Sequence, residues 1–209
     1  MQTTTQNNVN ITNSDAQFRQ DFAIIANWVK FGSKVLDLGC GDGELLQFLR
    51  TGMEVKGYGV EKDDTNWLVC LKNGTNVIQM DLEDGLSGFE DQSFDTVILS
   101  QTLQAMHNTQ EIVQEMLRVG HEIIVTFPNF GYWRNRIQIT NGHMPVSKTL
   151  PYEWYNTPNV HLCTINDFDQ FCKKYKITIL ERKVITDGSE VNFMPNLLGN
   201  LAMYRLKAI

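Results

Sequence analysis

Three glycines alternate with other residues directly after a short apolar run. The run is Val35–Leu38, and the glycines are Gly39, Gly41 and Gly43, followed by a helix-like stretch. Such a strand-to-helix turn needs glycine, because the backbone bends sharply and a ligand must approach the peptide closely. A tight turn without a ligand explains one pair of glycines, but three in this context favour a ligand-binding turn.

Carboxylates near this turn indicate which ligand it would hold. The dinucleotide fingerprint GxGxxG fails because Glu44 stands at its last position, and no phosphate-binding GxxxxGK[ST] loop occurs. Asp37 and Glu44 would repel a pyrophosphate, but they suit a cationic nucleoside. Adenosylmethionine has a sulfonium, an ammonium, a ribose and an adenine, and it has no phosphate. We therefore predict adenosylmethionine or adenosylhomocysteine as the ligand, bound without a metal ion.

Further polar residues follow the next strands. Glu61 ends the second strand, twenty residues after Gly41, where a carboxylate can bridge two ribose hydroxyls. After the third strand, Asp81 can accept a hydrogen bond from the adenine amino group, while the backbone at Leu82 meets a ring nitrogen. A loop cap is the alternative role of Asp81. Ser100 ends the fourth strand, at the sheet edge where open α/β sheets bind ligands.

Alternating strands and helices would place these residues along one edge of a sheet. Apolar runs predict seven strands, and periodic stretches between them predict helices. The predicted strands cover residues 34–37, 55–61, 76–80, 94–100, 122–127, 177–185 and 201–207. The predicted helices cover residues 14–30, 44–50, 64–72 and 111–119, and another begins after Thr164. Unbroken apolar strands in βα alternation predict a doubly wound, mostly parallel α/β sheet.

Two segments depart from this alternation. Residues 1–13 are mostly Gln, Thr and Asn, which predicts a disordered tail before a single domain at 14–209. Residues 129–163 have no clean period and are rich in aromatic side chains, which predicts a cap inserted into the domain. This cap is either a lid packed on the sheet, the wall of an acceptor pocket, or a partner surface.

The motif order resembles class I adenosylmethionine-dependent methyltransferases over residues 33–127. This resemblance implies a Rossmann-like seven-stranded sheet with one antiparallel strand near the C-terminus. It also implies that Glu61 binds the ribose and Asp81 the adenine. The methionine part would then lie against the turn, whose predicted contact residues are Asp37, Gly39, Cys40, Gly41 and Gly43.

Five further runs narrow the resemblance to the MetW family of methionine biosynthesis proteins. These runs lie at residues 99–104, 115–120, 127–133, 144–148 and 151–165. In that family MetW accompanies a homoserine O-acyltransferase. The resemblance therefore implies that this chain supports or regulates such a partner.

Composition excludes several other classes of function. The chain has 209 residues, with 18 Lys and Arg against 24 Asp and Glu, so its formal charge of −6 argues against nucleic-acid binding. No apolar run is long enough to span a membrane, and no secretory signal is present, so we expect a cytoplasmic protein. The four cysteines lack ligand spacing, which argues against a zinc site.

Catalytic residues are not evident. No GxSxG motif occurs, so an acyl-transfer nucleophile would have to belong to a partner. Methyl transfer can proceed by alignment alone, so a small-molecule methyltransferase remains the alternative function. His107 near the site edge and His161 in the cap are the histidines closest to a possible acceptor pocket. A third possibility is an interaction protein that keeps the fold without the cofactor.

Overall fold

The computed structural model describes residues 20–208, which form seven α-helices and eight β-strands. The helices are α1 Gln20–Trp28, α2 Glu44–Met53, α3 Asp64–Lys72, α4 Thr109–Val119, α5 Trp133–Thr140, α6 Ile165–Lys174 and α7 Pro195–Leu198. The strands are β1 Lys34–Leu38, β2 Lys56–Glu61, β3 Asn76–Gln79, β4 Phe94–Ser100, β5 Gly120–Pro128, β6 Ile177–Thr186, β7 Ser189–Glu190 and β8 Leu201–Ala208.

All eight strands belong to one sheet, in the order β3-β2-β1-β4-β5-β8-β6-β7. The strands from β1 to β5 pair in parallel, and β8 runs antiparallel to both of its neighbours, β5 and β6. The order reverses at β1, so helices cover both faces and the carboxyl ends of β1 and β4 meet at the reversal. The predicted doubly wound sheet with an antiparallel strand near the C-terminus is therefore confirmed.

The predicted number of seven strands is wrong, because β6 and β7 form a small hairpin. Asp187 and Gly188 connect them with positive φ angles of 47° and 83°. Two residues with positive φ match the twist of a tight hairpin, and an Asp-Gly pair favours this turn. Because β7 has only two residues, it leaves no periodic pattern in the sequence that could have revealed it.

Each face of the sheet carries its own apolar core. Val97 and Leu99 of β4 pack on the face covered by α4 and α6, and Ile98 between them packs on the face covered by α1 and α2. This alternation follows from the pleat, because successive side chains of a strand point to opposite faces. The continuous apolar run in β4 is thus explained by burial on both sides.

The predicted first helix and tail lie partly or wholly outside the described residues. Helix α1 is described from Gln20 and ends at Trp28, so the predicted start of this helix and the predicted tail at 1–13 fall before the described range. None of the helices within 20–208 is long and apolar enough to cross a membrane.

Helix α5 lies within the segment that had no clean period. Its apolar residues Ile137 and Ile139 are about half exposed, whereas Asn135 is buried. A helix that presents apolar side chains to solvent and a polar one to the interior breaks the amphipathic pattern that sequence reasoning relies on. For this reason the sequence pattern of residues 129–163 did not predict helix α5.

Asn129 fixes the start of this segment to the rest of the domain. Its Nδ2 donates to the carbonyls of Asn196 at 3.1 Å and Gly199 at 2.7 Å. Its Oδ1 accepts from the backbone N–H groups of Gly131 at 3.0 Å and Ile165 at 3.3 Å. One buried amide therefore joins the end of β5, the start of α6 and the short helix α7.

We expect Asn129→Ala to lower the free energy of unfolding by at least about 2 kcal/mol, because each buried polar group left unpaired costs about 1–3 kcal/mol. Urea denaturation followed by circular dichroism measures this change. Asn166→Ala, which alters an exposed side chain on α6, should stay within about 0.5 kcal/mol of the parent protein. Equal losses in the two variants would contradict the assigned role of Asn129.

Candidate cofactor site

The glycine turn after β1 is built from three left-handed glycines, which serve different purposes. Gly39, Gly41 and Gly43 have φ angles of 66°, 57° and 82°. A Cβ on Gly39 would lie 2.9 Å from the side chain of Thr102, and one on Gly43 would lie 3.0 Å from Cys70 Sγ. A Cβ on Gly41 would meet no atom within 4 Å. The outer glycines therefore permit close packing, and the middle one faces open space.

That open space is a cavity of about 130 Å³ at the carboxyl edge of the sheet. Its lining consists of Phe22, Asp37, Gly39, Cys40, Gly41, Asp42, Glu44, Leu45 and Ser100. Five of the nine predicted contact residues are in this lining. The cavity has three acidic residues and no basic one, which disfavours a pyrophosphate and suits a cation. The residues present therefore fit the ammonium and sulfonium groups of adenosylmethionine.

Glu61 lies behind this cavity and holds the glycine turn in place. Its carboxylate is buried, and its Oε2 accepts from the N–H of Gly41 at 2.8 Å. Its Oε1 accepts from the N–H groups of Lys62 at 2.9 Å and Asp63 at 2.8 Å. A carboxylate offers about four lone-pair positions, so three bonds leave room for one more donor, which is enough for one of the two ribose hydroxyls of the predicted contact. The ribose contact stays a prediction, and the bracing of the turn is an additional role.

Asp81 and Leu82 follow β3, the strand next to the one that ends in Glu61. Strand β3 pairs with β2, and the N–H of Met80 donates to the carbonyl of Glu61 at 3.1 Å. Asp81 Oδ1 accepts from the N–H of Glu83 at 3.1 Å, which caps a short 3-10 turn at Leu82–Asp84. The cap role considered for Asp81 is thus present, while Leu82 is buried in the core. Their contact with adenine stays a prediction.

Helix α1 contributes residues that sequence reasoning did not assign to the site. Phe22 lines the cavity, and the buried Asp21 Oδ2 accepts from Gln101 Nε2 at 3.1 Å. Gln101 follows β4 with a φ of 53°, and its N–H donates to Thr126 Oγ1 at 2.9 Å. The available signal was the position of Asp21 four residues before the core residue Ile25, which places an acid on the buried face of a helix.

Cys40 and Cys70 are buried thiols that pack beneath the turn. Their sulfurs are 3.9 Å apart, and Cys70 Sγ donates to the carbonyl of Gly41 at 3.2 Å. Burial raises the pKa of the Cys40 thiol far above its usual range, and the nearby charge of Asp37 adds to the effect. A Cβ on Gly59 would approach Cys40 Sγ to 2.5 Å, so Cys40 also explains why β2 has a glycine there. Cys40 is therefore a neutral packing group at the cavity wall.

The two histidines considered near an acceptor pocket are not in the lining of this cavity. The Nε2 of His161 lies 3.2 Å from the carbonyl oxygen of His107, and both side chains are exposed. Within residues 20–208, no group of three or more His, Cys, Asp or Glu side chains is arranged to hold a metal ion.

Solved structures with the same fold are adenosylmethionine-dependent methyltransferases and related proteins. A possible histamine N-methyltransferase from Thermotoga maritima matches with a TM-score of 0.64 at 16% identity, over 91% of this chain and 89% of that one. A structure of the Haloferax volcanii Trm112 methyltransferase activator in complex with a putative methyltransferase matches with a TM-score of 0.63 at 16% identity. This match covers 91% of this chain and 90% of that one. The [4+2]-cyclase SpnF matches with a TM-score of 0.67 at 15% identity, over 94% of this chain and 84% of that one.

The fold and the glycine turn thus define a protein of the adenosylmethionine-dependent methyltransferase fold. Residues 19–206 match the family described as methionine biosynthesis protein MetW, and this chain belongs to that family. A relative from Rhodopirellula baltica, the bifunctional methionine biosynthesis protein MetXA/MetW, is 39% identical over 178 residues. The match covers 80% of this chain and 29% of that relative, so this chain corresponds to a minor part of the bifunctional protein.

We expect Glu61→Gln to lower the free energy of unfolding by about 1.5–3 kcal/mol without any ligand, because an amide loses charge-assisted bonds to buried N–H groups. Thermal and urea unfolding of the ligand-free protein measure the change. The matched variant Asp81→Asn alters a partly exposed cap, where Asn and Asp are equivalent, and should change stability by less than about 0.5 kcal/mol. If both variants keep the parent stability, Glu61 does not brace the turn.

Proposed function

We propose that this chain binds adenosylmethionine or adenosylhomocysteine and supports or regulates a homoserine O-acyltransferase in methionine biosynthesis. The observation that carries the proposal is the bifunctional relative, in which MetXA and MetW share one chain. Joining two functions in one chain brings them together at high effective concentration. The pairing also agrees with the acyltransferase partner that resemblance to the MetW family implies. We place the protein in the cytoplasm, where its four free thiols would stay reduced.

The acidic cavity supports the cofactor part of this proposal. Asp37, Asp42 and Glu44 line it together with the open face of Gly41. We assign the methionine part of the cofactor to this cavity, the ribose to Glu61, and the adenine to Asp81 and Leu82. When bound, adenosylmethionine would supply an activated methyl group, and the residues of this chain would position it.

Acyl transfer itself is assigned to the partner. The sequence contains no GxSxG motif, and burial raises the pKa of Cys163 and Cys172 to about 12. Such thiols are protonated at neutral pH, and a protonated thiol is a poor nucleophile. The described residues therefore suit a supporting role for this chain rather than an acyl-enzyme mechanism.

The partner would bind a surface formed by α5 and the residues that follow it, which we name the cap surface. Its exposed apolar residues are Trp133, Ile137, Ile139, Met144, Val146, Tyr152, Trp154, Tyr155, Val160 and Leu162. Trp154 and Tyr155 are 71% and 69% exposed and pack edge to face, with ring centroids 5.7 Å apart. Arg134 lies over the ring of Trp133 at 5.3 Å. Interfaces are enriched in Trp, Tyr and Arg, so this composition favours a partner surface over a closed lid.

The alternative function is methyl transfer to a small acceptor. The open glycine turn favours it, because methyl transfer from a sulfonium can be driven by alignment alone. Two measurements separate the functions. Acyltransferase activity is compared with and without this chain, and adenosylhomocysteine formation from adenosylmethionine is followed in the same mixtures. Stimulated acyl transfer without adenosylhomocysteine formation supports the proposal, and the reverse supports the methyltransferase.

We expect Gly41→Ala to weaken adenosylhomocysteine binding at least about tenfold in a calorimetric titration, because the new methyl group enters the space assigned to the cofactor. Gly74→Ala is the matched control. Gly74 also has a positive φ, of 67°, and a Cβ there also meets no atom within 4 Å, but it lies outside the cavity lining. Both variants should lose about 1–2 kcal/mol of stability from backbone strain, and only Gly41→Ala should lose affinity. Equal affinities would refute the site.

We expect Trp154→Ala to weaken the affinity for the acyltransferase roughly 30-fold, because truncating an aromatic interface residue commonly costs about 2 kcal/mol. Less acyltransferase should then co-purify with the variant. Phe31→Ala is the control, since Phe31 is 66% exposed but follows α1, outside the cap surface. Adenosylhomocysteine binding should be unchanged in both variants. If Trp154→Ala still bound the acyltransferase but lost cofactor binding, the cap would instead be a lid over the cofactor site.

A further inference from the structure

A second cavity, of about 400 Å³, lies between helices α5, α6 and α7 and strand β6. It shares no lining residue with the glycine-turn cavity. Its apolar walls come from Ile165, Met194, Pro195 and Leu197. Sites for small ligands usually measure about 300–1,000 Å³ and combine apolar walls with a few polar groups. This cavity therefore has the size of a ligand site and can cover an apolar body.

The charged residues of this lining are two arginines and one aspartate, namely Arg136 of α5, Arg182 of β6 and Asp169 of α6. Asp169 is already satisfied within the protein. Its Oδ2 accepts from Arg182 Nη1 at 2.6 Å, and its Oδ1 accepts from the hydroxyl of the buried Tyr204 at 2.7 Å. Two positive charges against one negative charge leave the lining with a positive excess, although the whole chain has a formal charge of −6.

The excess charge belongs to Arg136, whose guanidinium is held from one side. Its Nε donates to the carbonyl of Gly131 at 2.6 Å. Arg136 makes no ion pair within the described part of the chain. A guanidinium carries five N–H donors in a planar fork, so one bond restricts its orientation and leaves donors for a ligand. Asn129 Oδ1 in turn accepts from the N–H of Gly131 at 3.0 Å, so the anchor of Arg136 is itself fixed.

Charge and shape together restrict what this cavity can hold. A cationic ligand would be repelled by Arg136, and a neutral ligand would leave the guanidinium without a counter-charge. Inorganic phosphate would satisfy the charge but would leave the apolar walls uncovered. A carboxylate matches the fork of a guanidinium with two parallel hydrogen bonds. An aliphatic chain attached to it would cover Met194, which is 50% exposed at the edge of the cavity.

We propose that this cavity binds a carboxylate attached to a short aliphatic body. The carboxylate pairs with Arg136, and Arg182 adds positive charge to the same cavity. The aliphatic body packs against Ile165, Pro195 and Leu197. The carboxylate belongs either to a free small molecule or to an acidic side chain of a protein partner, and the chemistry of recognition is the same for both sources.

Hexanoate and hexanamide test this proposal, because they have nearly the same shape and only hexanoate is charged. Their affinities for the full chain are measured by ligand-observed NMR titration, with acetate as a carboxylate that lacks the aliphatic body. We expect hexanoate to bind at least about tenfold more tightly than acetate, because four more methylene groups are removed from water. We expect Arg136→Gln to weaken hexanoate binding by roughly 3- to 10-fold, between the values for exposed and buried charged contacts, and to leave hexanamide binding unchanged.

Arg50→Gln is the matched control. Arg50 is also exposed, its Nη1 also donates to a glycine carbonyl, that of Gly74 at 2.9 Å, and it lies outside the lining of this cavity. This variant removes the same charge and should bind hexanoate as the parent does. Both variants should bind adenosylhomocysteine unchanged, so failure of this inference is distinguishable from failure of the proposed function.

Added acyltransferase identifies the source of the carboxylate. If the acyltransferase displaces hexanoate, the carboxylate belongs to an acidic side chain of that partner, and if hexanoate binding is unchanged, it belongs to a free small molecule. Absence of hexanoate binding to the parent, equal affinities of hexanoate and acetate, or equal changes for hexanoate and hexanamide in Arg136→Gln would overturn the proposal.

Discussion

The candidate site depends on one buried carboxylate. Glu61 lies at the end of β2, yet its oxygens accept hydrogen bonds from the turn after β1 and from the start of the loop after β2. A buried charge is costly unless it is fully hydrogen-bonded, so these loops must stay where they satisfy it. The left-handed glycines make this arrangement accessible to the backbone. The acidic cavity and the open face of Gly41 follow from it.

Strand β5 connects the cofactor cavity with the cap. Thr126 accepts from the N–H of Gln101 at 2.9 Å and lies 3.2 Å from the hydroxyl of Ser100, which lines the acidic cavity. Three residues later, Asn129 holds the start of the cap and the start of α6. The same strand thus positions residues of both regions, although the cap surface shares no residue with the cavity lining. Strand β5 is suited to such a task, because it lies inside the sheet between β4 and β8 and both of its faces are buried.

The sequence predicted those elements whose burial or backbone geometry requires a recognisable pattern of residues. The doubly wound sheet, the bounds of most elements and the glycine turn were all predicted, since buried parallel strands are unbroken apolar runs and sharp turns require glycine. The hairpin strand β7 was too short to leave such a trace. Helix α5 lacks an amphipathic pattern because Ile137 is exposed. The hydrogen bonds of Asn129 to Asn196 and Gly199 join segments distant in sequence, which no local pattern records.

The antiparallel strand β8 has a consequence for synthesis of the chain. Among the described strands it comes last in sequence, yet it lies between β5 and β6 and buries Ala202, Met203 and Tyr204. Until residues 201–208 leave the ribosome, β5 keeps an unpaired apolar edge, and the β6–β7 hairpin has no place in the sheet. Such an edge is prone to pairing with other chains. A nascent chain of this topology therefore passes through a stage in which protection by chaperones matters, and premature termination there yields an aggregation-prone product rather than a shorter folded one.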